Sequence, residues 1–130
     1  MARITVVNDN PEFLELVHDI LESDRYEATT IDGDRPDALD AIRTSRPDLL
    51  MIDLRMGAEG LHGWDIAQQV RAEPDFDQLP ILVCSADVPA LTALEADLEK
   101  TQHVASLVKP FSIDDLIGAI DELLAQGAQR

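Results

Sequence analysis

Leu49-Leu50-Met51-Ile52 is the most apolar tetrapeptide in the chain, and it runs straight into Asp53. A run that is apolar at every position, not every second one, has no face to turn to water. It predicts a central strand of a parallel sheet, covered on both sides. Such a sheet needs crossover helices, and the flanking sequence has the pattern for them. Ile4-Thr5-Val6-Val7, Tyr26 to Ile31, Ile81 to Cys84 and the weaker Val104 to Val108 read as further strands. Asn10 and Pro11 suit the N-cap and first position of a helix whose Phe13, Leu16, Val17, Ile20 and Leu21 form one face. Further helices are expected over Pro36 to Ser45, Trp64 to Arg71 and Pro89 to Lys100, the last with Leu91, Leu94 and Leu98 on one side. A final helix is expected over Ser112 to Leu124. Ser112 and Asp115 approximate a capping box at its start, and Gly127 suits its stop. Five strands alternating with five helices predict an α/β fold with helices on both faces of a parallel sheet.

Length and charge narrow the function. At 130 residues the chain fits one domain, expected over 1–126 with a short tail at 127–130. Acidic residues number 26 against 10 basic, a formal net charge of −16. A surface this negative disfavours nucleic acid and anionic membranes as partners. It suits solubility, and a few of its carboxylates could gather round a divalent cation. Cys84 is the only cysteine, so no internal disulfide and no cysteine-rich zinc site is expected; in its apolar run it reads as a small buried hydrophobe. No signal peptide and no membrane-spanning run is legible, which makes a cytoplasmic location the default expectation.

In open parallel sheets, sites form beyond the carboxyl ends of the strands. Four of the five predicted strands deliver a polar residue there: Asn8-Asp9, Asp53, Ser85 and Lys109 before Pro110. Taken singly, Asp9 could be a capping acid, Ser85 a turn residue and Lys109 a solvated cation. Together they make a coherent set. Hard carboxylate oxygens suit Mg²⁺, which keeps several waters and takes one or two carboxylates. A carboxylate can act as nucleophile and form an aspartyl-phosphate. Lys109 adds a positive charge for phosphoryl oxygens, and the Ser85 hydroxyl can donate to them.

Val6-Val7-Asn8-Asp9-Asn10-Pro11, Leu49 to Met56, Leu82-Val83-Cys84-Ser85-Ala86 and Val108-Lys109-Pro110-Phe111 resemble, in order, the motifs of response-regulator receiver domains of two-component signalling. The likeness extends from Arg3 to about Leu124. It implies the flavodoxin-like (βα)5 three-layer sandwich with strand order 2-1-3-4-5. It implies Asp53 as phosphoacceptor, Asp9 and Asp53 as Mg²⁺ ligands with the backbone carbonyl of Arg55, Ser85 as sensor of the phosphoryl group and Lys109 as its partner. A histidine kinase or phosphotransfer protein is the implied donor. A stand-alone receiver would act on a downstream protein partner through its last two helices and the strand between them, with weak homodimerisation an allowed state. Nothing is expected beyond the domain's own phosphoryl transfer and dephosphorylation, so it is not read as an enzyme in the ordinary sense.

The chain departs from that pattern at several places. Asn8 stands where the family usually has an acid that reaches the metal through water; an amide oxygen can still accept from such a water, at the loss of one charge. Gly57 replaces a usual proline, and the loop over Gly57 to His62 is about two residues longer than expected. Ser106 stands where many relatives carry a switching aromatic. Arg55 and Asp87 could form an ion pair across the site. Asn8, Ser106 and the longer loop sustain an alternative, a degenerate receiver that binds partners without phosphorylation. A dinucleotide-binding protein of similar architecture would show G-x-G-x-x-G after its first strand, where this chain has Asn8-Asp9-Asn10-Pro11.

Overall fold

A computed structural model describes residues 2–54, 62–94, 96–97 and 103–128. β1 (Arg3–Asn8), β2 (Glu27–Asp32), β3 (Leu49–Asp53), β4 (Ile81–Ser85) and β5 (Val104–Val108) form one sheet in the order β2-β1-β3-β4-β5. All four pairings are parallel. Among the described residues the main helices are α1 (Pro11–Ser23), α2 (Ala38–Ser45), α3 (His62–Arg71), α4 (Val88–Ala93) and α5 (Ile113–Ala128), with a short 3₁₀ turn at Pro74–Phe76. This is the expected flavodoxin-like architecture.

The apolar tetrapeptide behaves as its composition requires. Leu50 and Ile52 pack with Ile42 of α2, Ile66 and Val70 of α3 and Leu91 of α4. Leu49 and Met51 pack on the opposite face with Val17 and Leu21 of α1 and Leu116 and Ile120 of α5. Period-2 alternation thus feeds two separate cores, and β1, β3 and β4 each contribute to both. Cys84 joins the second core and is buried.

Burial pushes the Cys84 thiol up to about 12, with Lys109 acting in the other direction. The folded state therefore holds this proton where the unfolded chain, near 9.0, has released it. Stability is unaffected below that lower value and declines as pH rises from it towards the folded one, with a limiting slope of about 1.4 kcal/mol per pH unit. Tyr26, raised by burial and then by its hydrogen bond to Asp121, adds to the same decline. Urea titrations at stepped alkaline pH should show this loss. Cys84→Ala should flatten it, and the native thiol should resist a thiol-specific dye at neutral pH.

The caps explain where helices start. Asn10 Oδ1 accepts the Glu12 and Phe13 N–H groups at 3.0 and 3.3 Å, with Pro11 at the first position of α1. Ser112 and Asp115 form the expected reciprocal pair, at 3.0 and 3.4 Å. Several boundaries differ from expectation, α3 among them, which starts at His62 rather than Trp64. α2 starts at Ala38 rather than Pro36, because Arg35 holds the Asp37 carboxylate through two bonds and Asp37 makes no side-chain cap. α4 stops at Ala93: the Leu94 N–H closes back on Ala90 and Leu91, and only Leu91 is buried. Leu98, expected on that helix, lies outside the described residues. α5 runs on to Ala128, so Gly127 does not end it.

Candidate functional site at the strand ends

The site begins with β3, whose last residue, Asp53, emerges from the buried run with its side chain 12% exposed. Lys109, just past β5, reaches it: Nζ donates to Asp53 Oδ2 at 2.5 Å, and the lysine side chain is only 22% exposed. Asn8, the last residue of β1 and buried, donates to the same Oδ2 from Nδ2 at 3.0 Å. Three strands thus send an amide, a carboxylate and an ammonium to one point. A carboxylate this enclosed needs such donors, since ionised groups leave water at high cost.

Ser85 is buried at the end of β4. Asp53 stands in register with Cys84, one residue before it, and the Ser85 carbonyl accepts the Lys109 N–H at 2.9 Å. Ser85 Oγ accepts the Asp87 N–H at 2.9 Å, which leaves its own hydroxyl hydrogen to donate. Asp9 directly follows Asn8 and is exposed at the end of the same strand. Arg55 and Gly57 lie outside the described residues, as does the loop up to residue 61. The suggested Arg55–Asp87 pair falls there too. Asp87 has a local task, since its Oδ1 caps α4 through the Ala90 N–H at 3.0 Å. Ser106 is exposed on β5, opposite Val83.

Asn8 was expected to offer an oxygen to a metal-bound water. Here that oxygen, Oδ1, accepts the Asn10 N–H at 2.8 Å, and the amide nitrogen faces Asp53. A second lone pair on Oδ1 remains chemically available. For a divalent cation, the donor chemistry is that of the Asp9 and Asp53 carboxylates, hard oxygens that suit Mg²⁺ with several waters retained. Among the described residues no three acidic, histidine or cysteine side chains form a preassembled cage.

Two contacts were not legible in the sequence. The Lys109 ammonium sits over the Phe13 ring, 4.2 Å from its centroid, and Phe13 meets Phe111 edge-on with centroids 6.3 Å apart. Phe13 falls on the apolar stripe of α1, so its spacing marks it only as core. Gly63, at the start of α3, donates its N–H to the Leu54 carbonyl at 3.1 Å. A Cβ there would overlap the Asp53 carbonyl oxygen and lie 2.8 Å from its carbon.

This fold and these strand-end residues define a class, and comparison with known proteins agrees: residues 4–121 match the response regulator receiver domain. The chain belongs to that family, a signalling module of two-component systems. It is 28% identical over 118 residues to the DNA-binding response regulator MtrA of Mycolicibacterium smegmatis, covering 91% of this chain and 48% of that protein. It is 30% identical over 123 residues to the sensor histidine kinase TmoS of Ectopseudomonas mendocina, covering 95% of this chain and 12% of that protein. The chain therefore spans about half of one relative and a small part of the other. Among solved structures, the response regulator TrrA of Thermotoga maritima, in complex with Mg(2+)-BeF, aligns with a TM-score of 0.75 at 27% identity, covering 95% of this chain and 99% of that one. The chemotaxis regulator CheY4 of Vibrio cholerae aligns at 0.79 with 22% identity, covering 95% and 98%, and shares the fold. Among the described residues no helix is long and apolar enough to cross a membrane.

Proposed function

We propose that the chain is a phosphoacceptor domain in which Asp53 takes a phosphoryl group from a histidine kinase or phosphotransfer protein. The contact of Asp53 with Lys109 at 2.5 Å, at the carboxyl end of the sheet, carries this reading. An Asp53 oxygen attacks phosphorus, the bond from phosphorus to the donor's imidazole nitrogen breaks, and that nitrogen keeps the electron pair and takes up a proton. The product is an acyl phosphate, which water later hydrolyses. Lys109 stands ready to move from the carboxylate to the new phosphoryl oxygens, and the Ser85 hydroxyl to donate to them. Asp9 and Asp53 would hold Mg²⁺ together with the Arg55 carbonyl, and the bound cation supplies charge neutralisation for the phosphoryl oxygens. Output would pass to a protein partner, and Val88 on α4 and Val108 on β5 expose apolar side chains for one.

The test is incubation with a small phosphodonor and Mg²⁺, followed by intact-mass measurement. Addition of one phosphoryl group is expected, and none in Asp53→Asn. An unlabelled wild-type protein would instead support the degenerate receiver, the reading favoured by the amide at Asn8.

Asn8 also sets the metal response. Asn8→Asp would replace a donor to Asp53 by a like charge at the same place. The metal-free protein should lose about 1–2 kcal/mol. Added Mg²⁺ should recover that loss and raise the melting temperature more than in wild type. Thermal melts across a Mg²⁺ titration measure both, and equal shifts in the two proteins would remove Asn8 from the metal site.

A further inference from the structure

We infer that Phe13 is a positioning residue for Lys109: its ring is the seat that holds the ammonium where it can serve Asp53. The inference rests on the reading of Asp53 as phosphoacceptor. It starts from geometry. Lys109 Nζ has two neighbours of opposite kind, the Asp53 Oδ2 at 2.5 Å and the face of Phe13 at 4.2 Å from the centroid. A ring face carries negative potential and attracts an ammonium without offering a lone pair. It therefore fixes the direction of the lysine without neutralising its charge.

The ring is itself held. Phe111 meets it edge-on at an interplanar angle of 83°, and both side chains pack against the core shared by α1 and α5. The backbone of Phe13 is tied to the site by a second route. Its N–H is bonded to Asn10 Oδ1, the Asn10 N–H to Asn8 Oδ1, and Asn8 Nδ2 to Asp53. The contacts close a circuit from Asp53 through Asn8, Asn10, Phe13 and Lys109 back to Asp53. α1 is thereby locked in register with the site, and a shift of its first turn would move the ammonium.

Two consequences of losing the ring act in the same direction. The lysine stem regains rotamers, so the ammonium is less often in place. When in place, it has the carboxylate as its chief attraction and draws charge from the nucleophile. Both slow phosphorylation.

The test uses the full chain carrying Phe13 or its mono-, di- and trifluorinated analogues, together with Phe13→Leu and Phe13→Tyr. Fluorination drains the ring face and barely changes its size. The initial rate of labelling by a small phosphodonor with Mg²⁺ should fall stepwise along the fluorinated series, to roughly 3- to 10-fold at its end. Phe13→Leu should fall by a similar factor, and Phe13→Tyr should stay within about twofold of wild type, since its ring face is retained. Melting temperatures along the fluorinated series should stay level. A flat rate across that series, or equal losses in Leu and Tyr, would overturn the inference and leave Phe13 a packing residue. Nuclear magnetic resonance gives an arm independent of phosphorylation: the Lys109 ε-methylene protons should be displaced upfield by the Phe13 ring and return to ordinary positions in Phe13→Leu. If the wild-type protein takes no label, the phosphoacceptor reading fails, and this arm decides whether the ring seats the lysine. Ordinary Lys109 shifts in wild type would overturn that as well.

Discussion

Gly63→Ala should unfold this domain at a much lower urea concentration than wild type, with a loss of about 3 kcal/mol or more. The cause is geometric. The first turn of α3 lies directly against the end of β3, where the Gly63 N–H bonds the Leu54 carbonyl at 3.1 Å. An added methyl would overlap the carbonyl of Asp53 and come within 3.0 Å of the Leu54 oxygen. Both obstacles are backbone, so no side chain can swing aside. α3 must withdraw, and with it Trp64, Ile66 and Val70, all buried in the core between α3 and the sheet. The same withdrawal displaces the peptide that carries the proposed phosphoacceptor, so labelling should weaken even where the variant remains folded. The urea midpoint at constant m-value measures the first effect, and the labelling rate well below that midpoint measures the second. A midpoint within experimental error of wild type would show that the two backbones are not in close contact.

Lys109→Met should reduce phosphoryl labelling by roughly 100-fold, the scale of losing one preorganised charge at a transferring group. The same change should destabilise the domain by about 1–3 kcal/mol, because the enclosed Asp53 carboxylate loses its ammonium partner while keeping the Asn8 donor. Methionine keeps most of the stem and its packing, so the loss is assigned to charge. Adding Asp53→Asn to Lys109→Met should return much of the stability and none of the labelling. That pattern separates the two roles of the lysine: compensating a buried carboxylate in the resting domain, and meeting phosphoryl oxygens during transfer. If the double variant is no more stable than Lys109→Met alone, the ion pair contributes little to the fold, and the lysine's resting role must be abandoned.

The strands, the helices and the polar residues at the strand ends could be read directly from the chain. Those properties are local or periodic. Leu49 to Ile52 has no polar face, so it had to be buried on both sides. Asn10-Pro11 and Ser112 with Asp115 carry their own capping chemistry within one turn. The topology followed from crossover geometry and from the likeness to a known family, and the strand order agrees. At the start of α2 a neighbour intervened: Arg35 holds the carboxylate of Asp37, and the helix begins two residues later than its spacing predicts.

What tertiary structure alone decided is how those residues touch. Asn8 and Asp53 are 45 positions apart and Lys109 and Asp53 are 56 apart, and no local pattern encodes which atom of one faces which atom of the other. The turn of the Asn8 amide, the ring of Phe13 beneath Lys109 and the absence of space for a Cβ at Gly63 depend on how distant segments are brought together. That arrangement is set by the joint packing of two cores on one sheet. Hydrophobic period selects the face a residue turns to; only the assembled layers determine what it meets there.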